Sequence, residues 1–197
     1  MYRVNDIFYS LQGEGHNTGR AAIFIRFAGC NLRCAFCDTE FDSFHEMTAD
    51  DILTAIADYP ARFIVLTGGE PTLQVDEALV EFFQQHGYKV AMESNGTCPA
   101  PQNLDWLTIS PKGEWNTGKT LHCNELKLVF TEETAAKLDA CLPLTFPSVK
   151  ADYYYLQPCD TGDSQRNALI LDSCIRYITE HPHWRLSLQM HKLIGIK

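Results

Sequence analysis

The sequence predicts an α/β fold: an open, partial barrel of TIM type with about six parallel strands and a reduced set of helices, in one domain over residues 1–197. Three observations predict it. Short apolar runs alternate with helix-like segments, the pattern of parallel strands joined by right-handed crossovers. The strands are too few to close an eightfold barrel. Nearly every unusual polar cluster also falls directly after a strand, where such folds gather their ligand groups.

Composition sets the context. A chain of 197 residues, 45% hydrophobic and 21% charged, is long enough to bury a full core. Met1 to Ile7 lacks an apolar run flanked by basic residues, so no signal peptide is read there. Nor is there an 18-residue apolar stretch, and the expectation is a soluble cytoplasmic protein with no membrane partner. The eight cysteines are then reduced thiols rather than a disulfide framework. Of these, Cys98, Cys123, Cys141, Cys159 and Cys174 are irregularly spaced and suit buried structural roles. A formal charge of −9 argues against a nucleic-acid partner.

Residues 2–9 alternate as a strand and run into Ser10-Leu11-Gln12-Gly13-Glu14-Gly15, a loop whose glycines allow close backbone approach. Residues 21–27 form a buried strand leading into a cysteine-rich loop. Thr48 can cap a helix over 49–58, with Asp50 and Asp51 complementing its dipole. There follow a strand at 62–66, a helix at 75–86, strands at 88–93 and 104–109, a glycine-containing loop to about 122, a strand at 124–130 and a helix at 131–140. A strand at 152–156, a helix at 164–179 and a strand at 184–188 complete the pattern. The tail alternates too little for another strand, and Leu193, Ile194 and Ile196 are apolar enough to dock it against the barrel mouth.

Cys30, Cys34 and Cys37 give a C-x3-C-x2-C spacing with no fourth cysteine near. Thiolates this close repel one another unless a soft cation holds them, as zinc or an iron–sulfur cluster does. Three ligands leave a cubane cluster with one open iron. A zinc site completed by His45, or a disulfide with one spare thiol, are the alternatives. Past the strand at 62–66, Thr67-Gly68-Gly69-Glu70-Pro71 exposes backbone groups at two adjacent glycines. Glu93-Ser94-Asn95-Gly96-Thr97, Ser110-Pro111-Lys112 and Gln157-Pro158-Cys159-Asp160 end later strands. Such residues also make ordinary turns and caps.

The cysteine triplet and the GGE turn resemble the radical SAM superfamily. The loop at 10–15, Arg26 before the cysteine loop, the Cys37-Asp38-Thr39 ending and Gln189-Met190-His191-Lys192 resemble, within it, the 7-carboxy-7-deazaguanine synthase family; segment 113–123 matches no part of that pattern. The resemblance implies a 4Fe-4S cluster on Cys30, Cys34 and Cys37, and S-adenosyl-L-methionine bound by Phe36, Asp38, Gly69, Glu70, Ser94, Ser110, Pro111, Lys112, Gln157, Pro158, Cys159 and Asp160. Magnesium (Mg2+) on Thr39 is implied too, an oxygen ligand that suits this ion. A pterin substrate would meet Leu11, Gln12, Gly13, Glu14, Arg26, Thr67, His191 and Lys197. The implied reaction is a radical ring contraction of 6-carboxy-5,6,7,8-tetrahydropterin with loss of ammonia, in a homodimer fed by a flavodoxin-type electron donor. Two rivals share parts of the pattern. A glycyl-radical activating enzyme leaves Arg26 and the tail motif unexplained, and a non-catalytic metal or electron-carrier module leaves the strand-end motifs unexplained.

Overall fold

A hairpin opens the chain, β1 (Tyr2–Leu11) antiparallel to β2 (Ala21–Phe27), and the short β3 (His45–Met47) pairs with the other edge of β1. From β2 onward each strand is parallel to its neighbour: β4 (Phe63–Gly68), β5 (Lys89–Ser94), β6 (Trp106–Ile109), β7 (Leu121–Phe130), β8 (Val149–Pro158) and β9 (Trp184–Leu186). The strand order is β3-β1-β2-β4-β5-β6-β7-β8-β9, so seven consecutive strands are parallel, one more than the sequence pattern suggests. The end strands do not pair with each other, which leaves the barrel open. This computed structural model describes residues 1–34, 37, 40, 42–112, 121–140 and 149–197.

Helices are few and most begin on a side-chain cap. Thr48 accepts from the Asp51 amide while Asp51 accepts from Thr48, a reciprocal box that starts α1 (Ala49–Ile56). The helix stops short of residue 58 as the chain turns toward Pro60, whose ring disfavours helical geometry at Tyr59. After a 3-10 turn at Pro71–Leu73, α2 (Glu77–Gln85) starts later than the apolar pattern suggests, because Asp76 takes the cap position and accepts from the Leu79 amide. Then come α3 (Glu132–Ala140), α4 (Ser164–Glu180), capped by Asp163, and the short α5 (Met190–Ile194).

Strand alternation gives the sheet two unlike faces. On the outer face Ile23, Ile25, Phe27, Ile64, Leu66, Val90 and Met92 pack on Ile52 and Ile56 of α1 and Leu79, Val80 and Phe83 of α2. Farther along, Leu126, Leu128, Phe130 and Leu156 meet Leu138 of α3 and Ile170, Cys174 and Tyr177 of α4. Each such side chain contributes about 1.5–3 kcal/mol by leaving water. The inner face has only a small apolar floor, Ala22, Phe63, Val65 and Ala91 with Phe24 and Trp106 against it. Above that floor the inward positions turn polar, and there the site is built.

Candidate active site

The β1–β2 loop crosses the inside of the curled sheet. Its neck is closed by the Gln12 amide donating to the Arg20 carbonyl at 2.8 Å and the Gly19 amide donating to the Gln12 carbonyl at 2.8 Å. The Gly15 amide donates to Ser187 Oγ, just past β9, and the Met190 amide donates to the Gly13 carbonyl. A loop rooted on β2 therefore reaches the far edge of the sheet. Below it the His16 ring lies 4.7 Å from that of Trp106 and 4.3 Å from that of Tyr153, and the His16 amide donates to Glu125.

Four charged groups converge under this loop. Lys127 Nζ on β7 donates to Glu14 Oε2 at 2.5 Å and to Glu93 Oε2 on β5 at 2.8 Å, and its side chain is only 4% exposed. Glu14 Oε1 accepts from Gln157 and Gln189, and Glu93 Oε1 accepts from the Gln12 side chain at 2.9 Å. Burial works to raise the Glu14 carboxyl, but the Lys127 charge and hydrogen bond win and hold it well below the usual carboxylate range. Lys127 is correspondingly raised despite its burial, by Glu14, Glu93 and Glu125. Glu125 goes the other way: burial pushes its carboxyl up to about 7, with Lys127 opposing and Glu93 adding to the rise.

The opposite side of the cleft carries the thiols. Cys30, Cys34 and Cys37 all open onto it. The Gly69 amide donates to the Phe27 carbonyl and the Glu70 amide to the Gly29 carbonyl at 2.9 Å, so the GGE turn lies against the start of the cysteine loop. A β-carbon on Gly69 would collide with the Gly29 carbonyl. Fully buried Glu70 accepts from Thr72, from Ser94 Oγ at 2.8 Å and from the Asn95 amide at 2.7 Å. Asn95 in turn donates to Asn31 inside the cysteine loop, and Asn31 donates to Thr97. Three strand-end motifs far apart in sequence are thus bonded into one wall.

The cleft between these sides has a volume of about 550 Å³. Leu11, Gln12, Gly13, Glu14, Arg26 and Thr67 line one part of it, and Gly69, Ser94, Ser110 and Lys112 another. Gln157, Pro158, Cys159 and Asp160 line the rim, with His191 and Lys197 from the tail. Glu70 and Pro111 do not reach the surface of the cleft: the first braces Ser94 and Asn95 from below, and the second is buried behind it. Phe36, Asp38 and Thr39 lie outside the described residues. Arg26 holds its guanidinium 5.4 Å from the Phe8 ring centroid, and its Nε is buried without a hydrogen-bond partner. His45 sits in β3 opposite Val4, not in the lining of the cleft.

The tail docks mainly by polar contacts, and of Leu193, Ile194 and Ile196 only Ile196 is half-buried. Leu193 and Ile194 are 71% and 53% exposed, against expectation. Instead Lys192 pairs with Asp160 at 2.8 Å, Lys197 Nζ pairs with Asp6 at 2.6 Å, and Ser10 donates to the Lys197 carbonyl. The helix α5 is too short to turn those leucine and isoleucine side chains onto a core.

Sequence reasoning passed over Glu93, Lys127, Gln189 and Glu125 as site residues. A signal was present: Glu125-Leu126-Lys127-Leu128 puts two charges on one face of a strand whose other face carries Leu126, Leu128 and Phe130. A parallel strand buried on both faces has to satisfy such charges internally.

The thiols suit a cluster. Burial raises the Cys34 thiol, Lys112 lowers it, and Cys37 and Cys30 raise it again, so Cys34 favours the neutral form until a soft cation stabilises its thiolate. Among the described residues, no trio of His, Cys, Asp and Glu is gathered as a lone metal ion requires. Three thiols, a glycine-walled turn and polar strand ends on one cleft define a radical SAM protein, and the Radical SAM superfamily model matches residues 24–112. At full length the chain is 43% identical to the 7-carboxy-7-deazaguanine synthase of Bacteroides thetaiotaomicron, covering 100% of both chains. It is 41% identical to that of Bordetella pertussis, covering 99% of each. The crystal structure of QueE from Escherichia coli superposes with a TM-score of 0.72 at 31% identity, covering 96% of this chain and 94% of that one. The chain belongs to the 7-carboxy-7-deazaguanine synthase family.

Proposed function

We propose that this cleft carries out the radical ring contraction of 6-carboxy-5,6,7,8-tetrahydropterin to 7-carboxy-7-deazaguanine, with loss of ammonia. Bound at Cys30, Cys34 and Cys37, a reduced 4Fe-4S cluster with S-adenosyl-L-methionine supplies the hydrogen-abstracting radical chemistry. The chain's own part is to hold, orient and enclose. Gly69 offers backbone to the amino group of the methionine moiety, and Ser94, Ser110, Lys112 and Gln157 to Asp160 offer polar groups to the rest of that cofactor.

The observation that carries the substrate reading is Arg26: a half-buried side chain whose Nε is buried without a hydrogen-bond partner, opening onto the same cleft as the thiols. A carboxylate on the substrate is its natural partner, in a bidentate pair. Gln12 and Glu14 then face the pterin edge, whose adjacent N–H groups need acceptors, with Leu11, Gly13 and Thr67 around the ring. His191 and the Lys197 terminus close over it. Magnesium on Thr39, a flavodoxin-type donor and a homodimer complete the reading, each resting on the resemblance.

Anaerobic reconstitution with iron and sulfide, followed by incubation with reductant, S-adenosyl-L-methionine and the carboxypterin, tests it. The expected result is a brown protein that forms 7-carboxy-7-deazaguanine and ammonia, faster with added magnesium. A colourless protein binding zinc alone, or a brown one that cleaves the cofactor but leaves the pterin intact, would overturn it.

A further inference from the structure

Lys127 lies beneath the residues that face the substrate and is bonded to both of them, one directly and one through Glu93. We propose that Lys127 is the positioning residue of the substrate site, fixing the Glu14 carboxylate directly and the Gln12 amide through Glu93 in the geometry that receives a pterin N–H edge. The inference rests on the pterin reading above.

The bonds make the case. Glu14 can point anywhere its loop allows, but Lys127 takes Oε2 while Gln157 and Gln189 take Oε1, which pins the carboxylate plane and leaves it lone-pair capacity toward the cleft. Gln12 alone could present either end of its amide. Glu93 accepts from its Nε2 and the Glu14 amide donates to its Oε1, which sets the amide's orientation and leaves the oxygen one lone pair toward the cleft. Glu93 is itself held by Lys127, so one ammonium orders both acceptors from below.

Charge gives this arrangement a readout that mere packing lacks. The groups around Glu14 are Lys127 and Glu125 on β7, Glu93 on β5, Lys112 beyond β6 and His191 on α5. With Lys127 present, Glu14 stays ionised through the working range. Without it, burial is opposed only by the Gln189 hydrogen bond and His191, the Glu14 carboxyl rises, and an acceptor becomes a donor as pH falls.

The test is Lys127→Met, with Lys127→Arg as the conservative partner, on enzyme of equal iron content. Pterin dissociation constants and KM are measured between pH 5.5 and 8.5. For unaltered enzyme, affinity should be flat on the acid side. For K127M it should fall about 30-fold at pH 7 and recover as pH rises, with KM moving more than kcat, and K127R should restore most of it. Adding Glu14→Gln to K127M should erase the pH dependence. If K127M does not fold, K127M/E93Q restores the net charge of the cluster and should show the same acid limb. A K127M enzyme with affinity within twofold of normal, or one weakened equally at every pH, overturns the inference. Failure of the unaltered enzyme to bind the carboxypterin would instead overturn the reading beneath it.

Discussion

The two faces of this sheet come from the same strands yet obey opposite rules. On β7, Leu126, Leu128 and Phe130 face out and are almost wholly buried, while Glu125 and Lys127 face in and are buried to nearly the same degree. Outside, burial alone suffices, and the apolar side chains pack on helices. Inside, every buried charge needs a partner, because an unpaired one costs several kcal/mol. Stability and chemistry are thus divided by residue parity along the strand.

Substitutions on each face test that division. The largest effect is expected at the thiols: Cys34→Ala should cut bound iron and abolish cleavage of S-adenosyl-L-methionine, measured by iron content and turnover. Full iron loading in C34A would break the assignment. Next comes Gly69→Ala, whose methyl meets the Gly29 carbonyl; a displaced turn should lower turnover on the order of 100-fold. Unchanged kinetics would show that the two loops part freely.

Leu66→Ala on the outer face should do the reverse. Removing a fully buried leucine costs about 2–5 kcal/mol, a fall in Tm of roughly 10 °C, with KM for both ligands unmoved at a temperature where the protein is folded. A changed KM with an unchanged Tm would contradict the division by parity.

Glu125 gives the smallest and subtlest effect. Its carboxyl titrates near 7 when folded and near 4.5 when unfolded, so the native chain keeps a proton that the unfolded chain releases between those values. Stability should therefore decline as pH rises through that window and level off above it. Glu125→Gln should remove the decline, gaining no more than about 3 kcal/mol at pH 8 by denaturant titration. Identical pH profiles for variant and unaltered protein would place the Glu125 carboxyl at an ordinary value.

Much of this was legible in the sequence. The strands from β4 onward followed from apolar runs, though the antiparallel pairing of β1 with β2 and β3 did not; Thr48 announced its helix, and the site motifs stood at strand ends where the structure brings Gly69, Ser94 and Gln157 together. What stayed hidden was pairing across the barrel. Lys127 reads as one more charge on an alternating strand, since nothing nearby in the chain says that Glu14 lies beside it. The apolar tail residues misled for the opposite reason: their composition suited docking, but a helix as short as α5 leaves Leu193 and Ile194 turned outward.

The crossing loop has a consequence for how the chain comes to be active. Glu14 meets partners 113, 143 and 175 residues away, and Gly15 meets one 172 away. Contacts of such separation carry the full entropy of loop closure and form late, after the sheet has curled. No fragment that ends before Gln189 contains all the partners of Glu14. A nascent or truncated chain can present the thiols, all within the first 37 residues, before it can present the acceptors. Synthesis and maturation therefore order themselves: the thiol loop emerges early, while the bonds that hold Glu14 wait for the chain beyond β9, so a closed Glu14 network is itself a report that the whole sheet has been assembled.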